Sequence, residues 1–497
     1  GVMEYGYGQI RVLHVLGGLN VGGAECRIID LYRNMDRDKI QFDFLVHYPP
    51  DKTGKKSPTS DELMAVREPD YFDNSVKKLG ARIFCLPKFV GTNLVEYKAA
   101  IKRLFNEHQG EWKVVQGHMT STAAIYLPIA KKSGVPICIA HARSAGVDNG
   151  VKGIATRIIR RPLQREGITD YNFACSREAG VAVFGKNLMD AGSVRIVPNA
   201  IDLKRFTYNE EIRNRIREEL GVSNALVIGH VGSFRYAKNH EFLLNVFAQV
   251  CRLLDNDDLN QYSMLHGMRV RLLMLGKGPL MEDMKKLASK LHIYDRCIFA
   301  GNKSNACEYY QAMDYFCFPS RYEGLPGSVV EAQAAGLQCL VSDAVTPEVD
   351  VTELVSMRSI NSEPRDWARK ILDDLLFHED YHMDPLMEEI KLNQTFTAIA
   401  GERRESVFEN EDAPDIDILD RGTGFEALNI PDEETKDKYI REIKNISDSK
   451  DMHRSIEYSI GDRKQSSAYI QNKLRAAGFD VKAQAKMLAF FYERGHF

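Results

Sequence analysis

Two glutamates that stand eight positions apart, Glu323 and Glu331, are the side chains in this sequence best placed to do chemistry together. The short apolar run at 315–318 predicts a buried strand, and the residues from 328 to 335 favour a helix. Glu323 therefore belongs to the loop between strand and helix, and Glu331 lies about one turn into the helix.

The start of that helix is suited to binding phosphate. Gly324, Leu325 and Pro326 lead into it. The first backbone N–H groups of a helix have no intrahelical partner, and the helix dipole is positive there. A phosphate seat flanked by two carboxylates suits a sugar nucleotide, with Glu331 on the ribose hydroxyls and Glu323 on the sugar.

Two cations lie on another predicted loop, which follows the strand at 225–231 and opens a helix. Arg235 and Lys238 are three positions apart. Together they could neutralise a diphosphate that gains charge as it leaves. The sequence Gly276-Lys277-Gly278 lacks the G-x-x-x-x-G-K-[ST] pattern, so it is not interpreted as a P-loop.

His118 follows the predicted strand at 113–116. Parallel sheets bind ligands beyond the carboxyl ends of their strands, so His118 is a candidate for contact with substrate. His141 ends the next predicted strand, and a structural role is the favoured interpretation for it.

The residues around the two acids resemble those of a known family. Pro-Ser-x-x-Glu-Gly-Leu-Pro and Glu-Ala-x-Ala-x-Gly are similar to the E-x7-E signature of group 1, or family 4, retaining glycosyltransferases of the capsular and exopolysaccharide type. The resemblance implies a GT-B fold, a catalytic set of Glu323, His118, Lys238 and Arg235, and transfer without a bound metal. It implies that His118 faces the donor sugar.

The resemblance extends to a glycine-rich turn, Gly-Gly-x-x-x-Gly-Gly-Ala-Glu, that includes Gly22 and Gly23. In the family this loop approaches the donor diphosphate. The sequence departs from the family pattern at Ser233, where arginine is common, at Lys277, where an acid is common, and at Ala200, where glycine is usual. Arg235 would therefore reach the diphosphate from a shifted position, and a left-handed backbone is not expected at Ala200.

Strands alternate with helices along most of the chain, which predicts α/β architecture with two doubly wound parallel sheets. The predicted first, acceptor-side domain spans residues 1–200 and is completed by a terminal helix in 466–497. The predicted nucleotide-sugar domain spans 201–384. Residues 385–465 are acidic and polar and are interpreted as an extension or insertion of unknown role.

The composition fits a soluble enzyme. The chain has 497 residues, a net charge of -3 and nine scattered cysteines. These values give no reason to expect nucleic acid, a disulfide framework or a zinc site. No apolar run approaches the roughly 18 residues that a membrane helix needs. We expect a cytoplasmic protein, and association with the inner face of the membrane is the alternative that stays open.

Four other features of the sequence bear on its fold and function. The first glycine-rich turn does not have the G-x-G-x-x-G spacing of a nicotinamide site. Asp415-Ile416-Asp417 spells the D-x-D of metal-dependent transferases but lies outside both predicted sheets. Residues 49–70 are predicted to be a long loop. The last feature is a set of arginines at helical spacing, which indicates a solvated helix face or a basic patch for an acceptor phosphate or an anionic membrane: Arg157, Arg160, Arg161 and Arg165.

The sequence thus predicts a retaining glycosyltransferase. It would move a hexose or N-acetylhexosamine from a nucleotide sugar, with UDP as the expected nucleotide, to a glycan, polysaccharide or lipid-linked acceptor. No cofactor is expected. The alternatives are a catalytically silent GT-B subunit that binds nucleotide or a partner, and a GT-B nucleotide-sugar epimerase.

Overall fold

The computed structural model describes residues 9–144, 146, 151–255, 262, 269–376, 463–464 and 466–497. These residues form two parallel sheets. The first consists of β1 (Ile10–Val15), β2 (Ile40–Tyr48), β3 (Ile83–Pro87), β4 (Val114–Gly117), β5 (Ile137–Ala142), β6 (Tyr171–Ala174) and β7 (Val194–Ile196). The second consists of β8 (Ala225–Val231), β9 (Arg269–Leu275), β10 (Cys297–Gly301), β11 (Tyr315–Phe318), β12 (Cys339–Ser342) and β13 (Val355–Arg358).

Helices connect the strands. Those of the first half are α1 (Gly23–Asn34), α2 (Ser60–Val66), α3 (Asp73–Lys78), α4 (Leu94–Glu107), α5 (Ala123–Lys132), α6 (Val151–Arg160) and α7 (Arg177–Asp190). Those of the second half are α8 (Leu203–Phe206), α9 (Glu210–Glu219), α10 (His240–Asp255), α11 (Met281–Lys290), α12 (Ala306–Ala312), α13 (Gly327–Ala334), α14 (Pro364–Leu376) and α15 (Val481–Arg494).

The first six strands of the first sheet are arranged in the same order as the six strands of the second. Their strand orders are β3-β2-β1-β4-β5-β6-β7 and β10-β9-β8-β11-β12-β13, and neighbouring strands are parallel. The order reverses between β1 and β4 and again between β8 and β11. Ligands of doubly wound sheets bind at such switch points, outside the carboxyl ends of the strands. The prediction of two doubly wound domains is confirmed.

Each sheet is covered on both faces by buried apolar side chains, which explains why its strands read as continuous hydrophobic runs. In β2, for example, every residue except the last is buried. Two apolar clusters flank the first sheet, and two others flank the second. Each sheet therefore has its own hydrophobic core, and polar loops follow the carboxyl ends of its strands.

The chain crosses between the domains twice, and the two crossings touch. The Ile201 amide donates to the Phe479 carbonyl at 2.9 Å, and the Val481 amide donates to the Ile201 carbonyl at 3.0 Å. After the second crossing, α15 packs into the core of the first sheet through Val481, Leu488 and Tyr492. These paired crossings are the natural place for a hinge.

Three features differ from the sequence predictions. The segment 49–70 is not a continuous loop, because it contains α2, whose start is fixed by a capping box between Thr59 and Glu62. Strand β13 was not predicted. The predicted terminal segment contributes to both cores, since Ile470 and Leu474 pack with the second sheet and only the part from Val481 packs with the first.

Two predictions fall mostly outside the described residues. Within the predicted extension at 385–465, the structure describes 463 and 464. The Asp415-Ile416-Asp417 sequence lies outside the described residues. The expected absence of a left-handed backbone at Ala200 is confirmed, because Ala200 is not among the residues with positive φ.

Candidate active site

Two loops at the second switch point are joined at the proposed catalytic residues. Lys238 follows β8, Glu323 follows β11, and the Lys238 ammonium is hydrogen bonded to the Glu323 carboxylate. Arg321 strengthens the junction, because its guanidinium donates to the Tyr236 carbonyl at 2.6 Å and lies 4.1 Å from the centre of the Tyr236 ring. The structure therefore brings together two residues that lie 85 positions apart in the sequence.

Close backbone packing holds the Lys238 loop. A Cβ atom on Gly276, whose φ is +131°, would lie 2.1 Å from the Gly232 carbonyl oxygen. A Cβ atom on Gly278 would lie 2.5 Å from the Phe234 carbonyl oxygen. Only glycine allows this approach, so the turn at 276–278 packs directly against the backbone of the Lys238 loop. The Lys277 side chain is exposed.

Helix α13 begins where the sequence predicted a phosphate seat. Pro326 is its N-cap residue, and no side chain caps this end. Gly324 and Pro326 are buried and Leu325 packs against the core of the second sheet. A Cβ atom on Gly327 would meet nothing within 4 Å. The loop is thus anchored from behind, while the helix start has open space in front of it.

Glu331 is buried and holds two hydrogen bonds. Its Oε2 accepts from the Tyr310 hydroxyl at 2.7 Å, and its Oε1 accepts from Arg27 Nη2 at 2.7 Å. Burial and the Glu331 charge raise the pKa of Tyr310 well above its usual value, so the hydroxyl keeps its proton. Arg27 belongs to α1 of the first domain. The predicted ribose carboxylate is therefore covered by a cation from the opposite domain.

The first switch point carries His118 inside a buried polar chain. Arg143 Nε donates to His118 Nδ1 at 3.1 Å. His118 must then carry its proton on Nε2, which lies 2.8 Å from His14 Nδ1. Burial and the Arg143 charge lower the pKa of His118 well below its usual value. His118 is neutral at pH 7, and its predicted contact with the donor sugar stays a prediction that requires one of these bonds to open.

Gly22 and Gly23 lie at the same switch point, at the start of α1. Gly22 is the N-cap residue in extended conformation, again without a side-chain cap. A Cβ atom on Gly23 would meet nothing within 4 Å. The two helix starts predicted to approach the donor both lack a side-chain cap at the N-cap residue, but they differ in charge: the Glu25 carboxylate lies over Gly22 at the α1 start, and α13 has no acid in its first turn.

Other predicted residues lie apart from these contacts. The Arg235 side chain is exposed and has no ion pair among the described residues. His141 is buried, with Nδ1 2.8 Å from Gln116 Nε2, which agrees with a structural role. In the basic segment, Arg157 and Arg161 are exposed, but Arg160 is buried and donates to the Ala182 carbonyl at 2.9 Å. The prediction of a shared basic face is wrong for Arg160.

Sequence reasoning missed three side chains of the site: Arg27, His14 and Arg143. His14 alternates with apolar residues on β1, which reads as an ordinary buried strand position. Arg27 lies two residues after the glycine-rich motif, and its partner is 304 positions away. Arg143 directly follows β5, and the position of a charged residue at a strand end was the one available signal.

Comparison with known proteins decides the family. Residues 212–376 match the family model described as glycosyl transferases group 1. The Bacillus subtilis (strain 168) protein EpsF, which is named as a glycosyltransferase, is 31% identical over 367 residues, or 73% of this chain and 87% of EpsF. The chain belongs to the group 1 glycosyltransferases. This glycosyltransferase is also 23% identical to an Escherichia coli protein over 278 residues, or 55% of this chain and 68% of the Escherichia coli protein. The Escherichia coli protein is named UDP-Gal:alpha-D-GlcNAc-diphosphoundecaprenol alpha-1,3-galactosyltransferase.

Solved structures agree with the fold. Anabaena HepE, crystallised with UDP and glucose, superimposes with a TM-score of 0.57 at 16% identity, over 80% of this chain and 95% of HepE. WaaG, described as a glycosyltransferase involved in lipopolysaccharide biosynthesis, gives a TM-score of 0.54 at 15% identity, over 78% of this chain and 95% of WaaG. The predicted GT-B fold of this glycosyltransferase is confirmed.

The described residues contain neither a cluster of metal ligands nor a membrane-spanning helix. No three His, Cys, Asp or Glu side chains in the described ranges gather as they would around a metal ion. Within the same ranges, no helix has both the length and the apolar character to span a bilayer. Metal-independent transfer stays a prediction.

Proposed function

We propose that this glycosyltransferase moves a hexose or N-acetylhexosamine from a UDP-sugar to a glycan or lipid-linked acceptor, with retention of anomeric configuration. The observation that carries the proposal is that Lys238 and Glu323 lie on two joined loops at one switch point, next to the start of α13. Two likenesses favour UDP: HepE was crystallised with UDP and glucose, and the Escherichia coli relative is named for a UDP-Gal donor.

In the proposed complex, the donor diphosphate lies against the start of α13 and between the cations of the Lys238 loop. Helix N–H groups, Lys238 and Arg235 would stabilise the charge that develops on the departing diphosphate. These groups are the protein's own, so we propose that transfer needs no metal. Unchanged initial rates in EDTA would support this, and rates restored only by an added divalent cation would contradict it.

Glu323 would orient the sugar, and Glu331 would accept hydrogen bonds from the ribose hydroxyls. The acceptor hydroxyl would attack the anomeric carbon from the face that the diphosphate leaves. The bond from the anomeric carbon to the diphosphate oxygen breaks as the new glycosidic bond forms, and a diphosphate oxygen takes the acceptor proton. Closure of the two domains would exclude water and limit donor hydrolysis.

Nucleotide binding and product stereochemistry test the proposal. Thermal shifts are measured with UDP-, GDP- and ADP-sugars, since a ligand that binds the folded state raises its apparent stability. We expect the largest shift with a UDP-sugar. NMR of the product should show the same anomeric configuration as the donor. An inverted product, or binding of UDP without consumption of any nucleotide sugar, would refute the assigned reaction.

We also propose that α6 contacts an anionic membrane at the cytoplasmic face, where a lipid-linked acceptor would be reached. Ile154 and Ile158 are 54% and 66% exposed, one turn apart, and Arg157 and Arg161 lie beside them. Basic residues near an anionic surface each contribute about 1 kcal/mol to binding. The relative named for a diphosphoundecaprenol-linked substrate supports a lipid acceptor.

Vesicle sedimentation tests this surface. Charge reversal of Arg157 and Arg161 should weaken binding to phosphatidylserine vesicles at least tenfold. The control reverses Lys285 and Lys286 on α11 of the second domain, and it should bind as the wild type does. Equal binding by wild type and the Arg157/Arg161 variant would dismiss the membrane contact.

A further inference from the structure

Arg143 differs from the other buried arginines in what it binds. Seven arginines are buried among the described residues: Arg27, Arg67, Arg143, Arg160, Arg213, Arg217 and Arg463. Four of them form ion pairs with carboxylates, namely Arg27, Arg67, Arg213 and Arg217. Arg160 and Arg463 donate to backbone carbonyl oxygens. Arg143 has neither kind of partner in the described part of the chain.

The two groups that Arg143 does bind are neutral. Its Nε donates to His118 Nδ1, and its Nη1 donates to the Asn199 side-chain oxygen at 2.9 Å. The Asn199 amide returns a hydrogen bond to the Arg143 carbonyl at 3.2 Å, which fixes the backbone as well. A guanidinium carries five N–H donors, so these two bonds leave part of its donor capacity unused.

Arg143 lies at the carboxyl edge of the first sheet; we call this edge the first wall, and the carboxyl edge of the second sheet the second wall, of the cleft in which we propose that the substrates bind. Arg143 directly follows β5, between His118 at the switch point and Asn199 at the interdomain crossing. A charge in a buried site is costly without a counter-ion, and here burial lowers the pKa of Arg143 to about 10. At pH 7 the side chain is still charged; the Glu25 carboxylate acts on it through space but forms no ion pair with it in the described part of the chain.

We propose that Arg143 binds a phosphate group of the acceptor. The donor diphosphate has its own cations on the opposite wall, at Lys238 and the start of α13, so a second oxyanion site on the first wall belongs to the other substrate. A guanidinium held by its Nε and Nη1 still presents N–H groups in a plane suited to phosphate oxygens. The assignment to the acceptor rests on the proposed transferase function.

Binding of inorganic pyrophosphate in the presence of saturating UDP tests the site directly. UDP fills the donor seat, so a second calorimetric titration with pyrophosphate reports on the first wall. We expect wild type to bind pyrophosphate under these conditions, Arg143→Gln to bind it at least tenfold more weakly, and Arg143→Lys to recover part of the loss. The affinity of Arg143→Gln for UDP should equal that of wild type.

A second variant keeps the arginine and supplies the missing acid. Asn199→Asp places a carboxylate where the amide oxygen lies 2.9 Å from Nη1. It should reduce pyrophosphate binding at least tenfold while the folded state is retained, as judged by thermal unfolding. Loss of binding in both variants separates a role in anion binding from a role in folding.

The outcomes divide cleanly. Equal pyrophosphate binding by wild type and Arg143→Gln, or no binding by wild type, overturns the proposal. A parallel loss of UDP affinity in Arg143→Gln assigns the arginine to the donor and also overturns it. Failure of wild type to bind UDP at all refutes the proposed transferase donor instead, and the pyrophosphate comparison still reads the Arg143 site.

Discussion

The two walls of the cleft differ in how their charged side chains are paired. In the second domain, Lys238 pairs with Glu323 and Glu331 pairs with Arg27 of the first domain, whereas Arg235 is exposed and has no ion pair among the described residues. In the first domain, the hydrogen-bond partners of the Arg143 side chain are neutral, Glu25 acts on it only through space, and His118 and His14 are held uncharged by burial. At the proposed donor site, a nucleotide sugar would have to break existing ion pairs to bind, whereas an anion that reaches Arg143 would meet a guanidinium that forms no ion pair with the described residues.

The largest effect is expected from Glu323→Gln, which removes the charge that we propose orients the sugar. Loss of one group that acts mainly in the transition state typically lowers kcat by about 10²- to 10³-fold. Initial rates of UDP release measure it, with Glu282→Gln as the control because Glu282 is an exposed acid on α11. A Glu323→Gln enzyme with undiminished transfer would remove Glu323 from the catalytic set.

Lys238→Met should have the next largest effect. Hydrogen bonds to charged groups contribute about 1.5–3 kcal/mol, so UDP affinity should fall by roughly 10- to 100-fold. The matched control is Lys285→Met, which removes a lysine paired with Glu282 outside the cleft. If UDP binds both variants equally well, the diphosphate does not lie on the Lys238 loop.

Acid should destabilise both walls through their buried histidines. Burial lowers the pKa of His14 to about 3 and that of His230 to about 4, so the unfolded chain binds more protons than the folded one below pH 6.5. Their contribution is complete above pH 6.5 and is lost as the pH falls toward the folded pKa, at about 1.4 kcal/mol per pH unit for each histidine.

Denaturant unfolding from pH 7.5 to 5.5 measures this loss. A His14→Gln variant should lose less stability than wild type over the interval, because one proton fewer is taken up on unfolding. An unfolding free energy that is constant over the same interval would contradict the neutral, buried state assigned to these histidines.

A smaller effect is expected at the interdomain contact. Arg27→Met removes the cation that covers Glu331, so the ribose hydroxyls no longer compete for Oε1, and UDP should bind about three- to tenfold more tightly, or roughly 1 kcal/mol. Arg33→Met is the control on the same helix, since Arg33 is exposed and pairs with Asp30. Weaker UDP binding by Arg27→Met would show that Arg27 supports the donor instead of excluding it.

Most of the fold could be predicted because parallel strands buried on both faces are uninterrupted apolar runs. The predicted strands at 225–231 and 315–318 have the same bounds as β8 and β11. Strand β13 was missed because all four of its residues are only partly buried and it lies at the sheet edge. Helix α2 was missed although its capping residues, Thr59 and Glu62, were visible in the sequence.

Some residues of the candidate site could likewise be predicted from the sequence, and others could not. Glu323 and Lys238 could be predicted because each lies on a loop next to a recognisable strand, and the structure joins them. The pairing of Arg27 with Glu331 could not, because it depends on how two domains with separate cores face each other. The neutral hydrogen-bond partners of Arg143 likewise arise from tertiary packing, which no local pattern encodes.

Amide hydrogen exchange with and without UDP is the most direct test of where the donor lies. UDP should slow amide exchange at 232–240 and 320–331, which are the two joined loops and the start of α13. The exchange rates of α11 should stay the same. Protection confined to other segments, with these two loops exchanging at the same rate in both states, would contradict it.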